Sequence, residues 1–208
     1  MNITNWQQDN EYIVGFYSRL VGKHEFDPRA LDWGSRESQE LRFSVLAQIG
    51  QLEGMGILDV GCGLADLLDY LQRSGTSVDY RGYDLAPAMI KHARQRFPQA
   101  RLEVRDLMAD PKPSPQFDYV MASGIFYLRQ AEPMAYIERM VHRMFALCRR
   151  GVAFNTLSTQ ASRRNPGEFY ADPARVLKIC LKITSRVVLR HDYLPHDFTV
   201  YLYKEGLE

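Results

Sequence analysis

The chain has few of the residues on which disulfide-stapled and zinc-stabilised proteins depend. Its 208 residues include three cysteines, Cys62, Cys148 and Cys180, which stand far apart and form no C-x-x-C pair. Disulfide frameworks and structural zinc sites rest on closely or regularly spaced cysteines. We therefore expect reduced thiols, a cytoplasmic location and no metal site.

Long apolar runs and a surplus of either charge are also lacking. No window approaches the roughly 18 consecutive apolar residues that a membrane span requires, and the chain does not open with the basic and then apolar stretches of a secretory signal. The formal net charge is +1, from 26 basic and 25 acidic residues. Because nucleic acids bind basic surfaces, we expect neither a nucleic acid nor a membrane as partner.

The most informative stretch that is present spans residues 56–65. A short apolar run there carries Asp59 near its end, and Gly61 and Gly63 follow before a helical pattern begins at about Leu64. Glycines let the backbone approach a ligand closely, and a helix N-terminus offers unpaired N–H groups. This order predicts a strand, a tight turn and a helix around a ligand, although ordinary strand-to-helix turns use glycine too.

Three later strand-like runs strengthen the ligand interpretation. The run 78–84 ends on Asp84, which lies 21 residues past Gly63, the spacing that places an acid on ribose hydroxyls in nucleotide-binding α/β units. The run 102–106 ends on Asp106, and the run 117–122 leads into Ser123. Parallel strands that end in register form a ligand crevice at one edge of a sheet.

This series resembles the class I S-adenosylmethionine-dependent methyltransferases. The matching pieces are residues 58–63, 82–90, 104–107 and 117–120, in the family's order and spacing. Ala65 stands where many members carry a third glycine. The resemblance implies an α/β fold, a doubly wound, mostly parallel sheet of seven strands with a C-terminal antiparallel hairpin. It also implies one domain over residues 1–208, with a helical lid in 1–50 and a Rossmann-like core in 51–208.

Apolar periodicity and turn residues predict the individual elements. An amphipathic helix is expected over 10–22, and Ser35 is expected to cap a second helix that Gly50 closes. The later helices are predicted at 64–74, 86–97, 131–147 and 173–182, and the strands at 56–60, 78–84, 101–106, 117–122 and 151–157. A hairpin around residues 195–197 is predicted at the end of the chain.

The resemblance assigns roles at the methionine end of S-adenosylmethionine, the expected cofactor. Asp59 would hold the amino group, directly or through water. The backbone of Gly61, Cys62 and Gly63 would run along this part of the cofactor, and the Ser123 backbone would contact the amino-acid end. The Cys62 side chain would then not be a nucleophile.

At the nucleoside end, the resemblance implies that Asp84 accepts from both ribose hydroxyls and that Leu85 lies on the adenine face. Asp106 would accept from the adenine amino group, and the Leu107 N–H would donate to a ring nitrogen. Asp84 and Asp106 are also residues that cap helices and loops, which is the alternative role for both.

Two arginine positions suggest anion binding. A buried carboxylate is costly without a partner, and related enzymes often place a basic residue from the region of Arg36 on the cofactor carboxylate; the alternative is an ion pair of Arg36 with Glu40. Arg163 and Arg164 occupy a predicted loop. They could hold an anionic group of the substrate, or simply be solvated.

The acceptor side contains aromatic residues. The Asn/Asp-Pro-Pro-Tyr/Phe motif of nucleic-acid amino-methylating enzymes is absent after residue 122, where Ser123 to Tyr127 stand instead. Tyr127 and Tyr17, like Phe126 and Tyr170, could face a sulfonium cation, or could pack in the core. His24 is the best placed of five histidines as a base, against an ordinary surface role. Asn155 could bind substrate or cap a turn. The catalytic candidates are therefore Tyr127, Tyr17 and His24.

The expected function is methyl transfer to an oxygen or nitrogen of a small molecule, releasing S-adenosylhomocysteine. A short helical lid suits such an acceptor better than a folded RNA or protein. Two alternatives remain open at this point. The same fold also hosts enzymes that attack another carbon of the sulfonium, such as the azetidine-forming cyclases, which release methylthioadenosine. The chain could also be a non-catalytic protein that retains the fold.

Overall fold

The computed structural model describes residues 5–24, 34–109, 116–128 and 130–204. The helices are α1 (Asn5–His24), α2 (Arg36–Ala47), α3 (Asp66–Arg73), α4 (Pro87–Arg96), α5 (Pro133–Leu147) and α6 (Pro173–Leu181). The strands are β1 (Gly56–Val60), β2 (Asp79–Asp84), β3 (Arg101–Val104), β4 (Phe117–Ala122), β5 (Cys148–Leu157), β6 (Val187–Leu194) and β7 (Asp197–Tyr203). A short 3-10 turn covers Leu107–Ala109.

The strands form one seven-stranded sheet in the order β3-β2-β1-β4-β5-β7-β6. The first five pair in parallel, and β7 runs antiparallel to both β5 and β6. This arrangement confirms the predicted fold class, including the terminal hairpin. The strand order reverses between β1 and β4, and such a reversal opens a crevice at the carboxyl ends of the strands.

Side-chain alternation along the central strands buries both faces of the sheet. On β4, Val120 and Ala122 pack with Met140 and Met144 of α5 on one face. Tyr119 and Met121 point to the other face, where they pack with residues of α2 and α3. Buried parallel strands of this kind need helices on both sides, and the chain supplies them.

Several helices begin where their local sequence favours a start. Ser35 accepts from the Ser38 N–H at 3.1 Å and so caps α2, as predicted. Asp172 caps α6 in the same way. Prolines 87, 133 and 173 open α4, α5 and α6, a position in which the missing N–H carries no penalty.

Some elements begin at residues other than the predicted ones. Helix α3 begins at Asp66 rather than 64 because Ala65 adopts a left-handed conformation, with φ of 60°, that closes the preceding turn. Helix α1 begins at Asn5 rather than residue 10. Strand β5 begins at Cys148, directly after α5, rather than at 151.

Helix α1 packs against the carboxyl edge of the sheet. Val21 is 1% exposed and packs with Leu64, Ala86 and Met89. The Asp9 carboxylate accepts from the Ala131 N–H at 3.2 Å. This bond joins the first half of α1 to the residues just before α5. In the described ranges no helix is long and apolar enough to cross a membrane.

Candidate active site

A cavity of about 540 Å³ opens at the carboxyl ends of the parallel strands. Its walls come from the segments that follow β1, β2, β3, β4 and β5, from the turn between β6 and β7, and from α1 and α2. The cavity therefore lies where the strand order predicts a crevice. Its β1–β3 side carries most of the residues predicted to bind the cofactor, and its β4–β7 side is called the acceptor end.

The glycine turn after β1 is held in place by its backbone. Gly61 and Gly63 have positive φ values of 72° and 52°, a region that side chains disfavour. The N–H groups of Gly61 and Cys62 both donate to the Tyr83 carbonyl, at 2.8 and 3.0 Å, and so fasten the turn to β2. A Cβ at Gly61 would overlap Ile125. Only glycine fits at position 61 without displacing its neighbour.

The Cys62 side chain is buried beneath this turn. It is 5% exposed and packs with Ala65, Leu68 and Tyr80. Burial, with Asp84 and Asp59 nearby, raises the pKa of the Cys62 thiol well above its usual range. A protonated thiol is a poor nucleophile, so the geometry agrees with a backbone role for this residue.

Asp84 ends β2 and lines the cavity next to the turn. One carboxylate oxygen accepts from the Gly63 N–H and the other from the Ala86 N–H, both at 2.8 Å. Desolvation raises the pKa of Asp84, and these backbone donors oppose the rise. The side chain thus holds the backbone just before α4, where Ala86 is the capping residue. Each oxygen can still accept a further bond from a ligand.

Asp59 is the most buried of the three acids predicted to bind the cofactor. It is 3% exposed and accepts from the Tyr80 hydroxyl at 2.6 Å. Burial raises the pKa of Asp59 to about 7, an increase that the Tyr80 hydrogen bond limits. A bound ammonium group would favour the charged form and lower this pKa. Tyr80 was not predicted, since no local motif shows which β2 side chain lies behind Asp59.

Asp106 and its neighbours form the end of the cavity next to α1. The Asp106 carboxylate accepts from the Met108 N–H at 2.8 Å and from the Asn10 side-chain amide at 3.0 Å. Leu85 and Leu107 line the same cavity. The predicted nucleoside-end residues are therefore brought together, with Asn10 of α1 as an addition.

The loop after β4 is positioned by Asn155. This residue is 1% exposed; its oxygen accepts from the Gly124 N–H at 3.0 Å, and its amide nitrogen donates to the Ser123 hydroxyl at 2.9 Å. Of the two predicted roles, the contacts match the turn-holding one. Ser123, Gly124 and Asn155 all line the cavity.

Two of the three catalytic candidates meet across the cavity. The Tyr17 hydroxyl of α1 lies 3.3 Å from the Tyr127 hydroxyl, in the loop after β4. Phe126 instead is 2% exposed and packs against Tyr136 and Phe154, so it belongs to the core. The side chain of His24 lies outside the described residues.

Arg36 does not lie at the position predicted from the sequence. It does not line the cavity; its exposed guanidinium lies 3.9 Å from Asp69. The alternative partner, Glu40, pairs with Arg73 at 2.6 Å instead. Arg36 is the first residue of α2, and its side chain extends toward Asp69 of α3. Ser38, Gln39 and Arg42, farther along the same helix, line the cavity instead.

Arg42, His196 and Asp197 are lining residues that the sequence analysis missed. The Arg42 Nε lies 2.8 Å from an Asp197 oxygen, and the two side chains are 5% and 3% exposed. The second Asp197 oxygen accepts from the Tyr193 hydroxyl at 2.6 Å. One signal was available: Arg42 stands in the apolar stripe of α2, between Gln39 and Leu46, where a charge needs a partner.

Comparison with known proteins identifies the family. Residues 57–151 match the methyltransferase domain family. A candidate methyltransferase of Mycobacterium tuberculosis is 35% identical over 163 residues, which cover 75% of this chain and 97% of that protein. The trans-aconitate 2-methyltransferase of Variovorax paradoxus is 34% identical over 76 residues, which cover 36% of this chain and 28% of that enzyme.

The fold has solved counterparts. The magnesium protoporphyrin IX methyltransferase from Synechocystis PCC 6803, crystallised with bound S-adenosylmethionine, superposes with a TM-score of 0.67 over 98% of both chains, at 17% identity. At that identity the likeness concerns the fold. Taken with the M. tuberculosis relative and the motif series, it leads to one conclusion: the chain belongs to the class I S-adenosylmethionine-dependent methyltransferases and is a transferase that uses this cofactor.

Proposed function

We propose that the protein transfers a methyl group from S-adenosylmethionine to an oxygen or nitrogen of a small molecule and releases S-adenosylhomocysteine. One observation carries the proposal. A single cavity of about 540 Å³ joins the acidic strand ends to the acceptor end, and α1 forms part of its wall. A site of this size and enclosure suits a small molecule bound beside the cofactor.

The residues present fit the cofactor. Asp59 would hold its ammonium group, and Asp84 would accept from its ribose hydroxyls. Asp106 and the Leu107 N–H would hold the adenine edge, against the Leu85 side chain. The turn of Gly61, Cys62 and Gly63 lines the cavity, and its backbone would run along the methionine part. When bound, the cofactor supplies a methyl group on a sulfonium, which is already a good leaving group.

The protein's task is then alignment and exclusion of water. Tyr17 and Tyr127 close one side of the cavity, and we propose that they face the reacting groups. Asn155 holds Ser123 and Gly124 in place beside them. Correct placement of nucleophile and methyl group is the larger part of such catalysis.

The relatives support a small acceptor. One matching enzyme is named for trans-aconitate, and the full-length structural counterpart is named for magnesium protoporphyrin IX; both are small molecules. The M. tuberculosis relative, which matches over nearly its whole length, carries no acceptor in its name.

Mass spectrometry of nucleoside products tests the proposal. Purified protein is incubated with S-adenosylmethionine alone and then with a small-molecule cell extract. We expect S-adenosylhomocysteine only when extract is present, and its loss in Asp84→Asn. Asp79→Asn is the matched control, because Asp79 opens the same strand at the opposite, exposed end. Methylthioadenosine formed without any acceptor would contradict the proposal and point to attack on another carbon.

A further inference from the structure

The acceptor end of the cavity has polar walls. Arg42 and Asp197 are buried, and Thr156 is also buried, with a hydroxyl that has no hydrogen-bond partner among the described residues. His196 lines the same end. Buried polar groups cost free energy unless they are hydrogen-bonded. Walls of this composition are suited to a polar ligand rather than a hydrocarbon one.

The buried cation and the buried anion of the acceptor end pair with each other. Arg42 and Asp197 form an ion pair at 2.8 Å. A second Arg42 nitrogen, Nη2, lies 3.4 Å from the Nε2 atom of His196. Because arginine can only donate, a hydrogen bond between these two atoms requires Nε2 as the acceptor. In the tautomer that meets this requirement, Nδ1 of His196 carries the proton and can donate to a ligand.

The other carboxylate of this end is also compensated. Glu168 accepts from the Tyr170 hydroxyl, and from the Asn165 side chain at 2.9 Å. The Arg164 guanidinium lies 5.7 Å from the centre of the same Tyr170 ring. The carboxylate of Glu168 is therefore hydrogen-bonded by two donors of its own loop.

Arg163 lines the acceptor end, and no residue that the structure describes pairs with its charge. It is exposed, lines the cavity, and has no carboxylate within 4.0 Å in the described part of the chain. Its neighbour Arg164 is occupied by Tyr170 and by the Thr159 carbonyl. Among the residues that the structure describes, the acceptor end thus offers one free guanidinium, the His196 donor and no uncompensated carboxylate.

From this balance we infer that the acceptor is a small organic anion, whose carboxylate or phosphate lies between Arg163 and the Arg42–His196 pair. The inference rests on the proposed function, since it names the class of acceptor for the same site. A guanidinium and an imidazole N–H suit an anionic oxygen, because charge-assisted hydrogen bonds are the strong ones. A cationic acceptor would meet an unpaired like charge at the same place.

The test separates acceptors by charge. A small-molecule extract is resolved into anionic, neutral and cationic fractions on ion exchangers, and each fraction is incubated with the protein and methyl-labelled S-adenosylmethionine. We expect label and S-adenosylhomocysteine with the anionic fraction. If phosphatase treatment of that fraction abolishes its activity, the anion is a phosphate; if the activity persists, it is a carboxylate. Either result supports the inference.

Variants of Arg163 test the contact itself. Arg163→Gln should raise KM for the anionic acceptor about tenfold, the loss of one charge-assisted bond, with kcat and cofactor affinity nearly unchanged. Arg163→Lys should restore most of the affinity. Arg149→Gln removes the same charge from an exposed site at the opposite end of β5 and should behave as wild type.

Three results would overturn the inference. Label confined to the neutral or cationic fraction would exclude an anionic acceptor, although methyl transfer itself would stand. An Arg163→Gln enzyme with the KM of Arg149→Gln would exclude the contact. Absence of S-adenosylhomocysteine with every fraction, or release of methylthioadenosine, would overturn the proposed function and this inference with it.

Discussion

At the scale of single residues, the buried carboxylate of Asp59 lowers the stability of the protein at neutral pH and above. Its carboxylate is 3% exposed, and burial raises its pKa to about 7 from the ordinary value of 3.8. The folded protein therefore binds the proton more tightly than the unfolded chain. The contribution of Asp59 to stability is most favourable below about pH 4 and is lost as the pH rises through about 7.

Asp59→Asn should accordingly stabilise the protein while abolishing cofactor binding. At pH 8 we expect the free energy of unfolding to rise by about 1–3 kcal/mol, because the variant no longer buries a charge. The gain should shrink toward pH 4, where the folded wild type holds the Asp59 proton and the unfolded chain, with its ordinary pKa of 3.8, begins to bind it as well. Denaturant titrations at the two pH values, with a parallel binding assay, measure both effects. A less stable variant at pH 8 would contradict this account.

Tyr80 supports the Asp59 carboxylate, which we propose holds the ammonium group of the cofactor. Its hydroxyl donates to the carboxylate at 2.6 Å and favours the charged form. In Tyr80→Phe the pKa of Asp59 should rise, and the acidic limb of S-adenosylhomocysteine binding should move up by about one pH unit. Calorimetric titration between about pH 5 and pH 8 measures the limb.

Tyr70→Phe on α3 provides the control for this change, because Tyr70 lies outside the cavity and is partly buried in the core. We expect its binding profile to match that of the wild type. Affinity lost equally at every pH in Tyr80→Phe would instead indicate a purely structural role.

At the scale of elements, the turn between β1 and α3 depends on one close approach. Gly61 has φ of 72°, and a Cβ there would overlap Ile125. Gly61→Ala should lower the free energy of unfolding by about 2–4 kcal/mol, through a strained backbone and overpacking together. Thermal or chemical unfolding measures this loss.

Gly54→Ala separates the two causes. Gly54 has nearly the same φ, 70°, but no other atom lies within 4 Å of the position that an alanine methyl group would take there. It should therefore cost only the backbone part, about 1–2 kcal/mol. Ile125→Ala in the Gly61→Ala background should recover part of the packing loss. Equal losses for the two glycines would rule out the Ile125 overlap as a cause.

At the scale of the whole molecule, one buried ion pair joins distant parts of the chain. Arg42 of α2 and Asp197 of β7 are 155 positions apart and bond at 2.8 Å. Removing one partner leaves an unpaired buried charge, so Arg42→Met should lower the free energy of unfolding by about 3–5 kcal/mol. Denaturant unfolding measures the loss.

An exposed pair supplies the comparison. Arg73→Met breaks contacts with Glu40 and Asp69 on the surface and should cost less than about 1 kcal/mol. The double variant Arg42→Met with Asp197→Leu should be less destabilised than Arg42→Met alone, since no charge remains buried. Additive losses would show that the pair is not coupled.

The sequence alone determined the fold class, the order of the elements and the acidic strand ends. These features are local: the G-x-G turn, the strand-ending acids at 59, 84 and 106, and the Ser35 cap each act within a few residues. Their place at one edge follows from the rule that parallel strands end together. Most of the residues predicted to bind the cofactor therefore line one cavity, and Arg36 is the exception.

Only the tertiary structure decided which residues line the acceptor end and which groups hydrogen-bond the buried acids. Arg36 and Arg42 are both arginines of one helix, and only the packing of α2 shows that Arg42 faces the cavity while Arg36 meets Asp69. Tyr80 of β2 donates to Asp59 of the neighbouring strand β1. His196 contacts Arg42, which lies 154 positions earlier in the chain. Such contacts depend on how separate elements are brought together in space, and no short-range pattern in a single sequence records that arrangement.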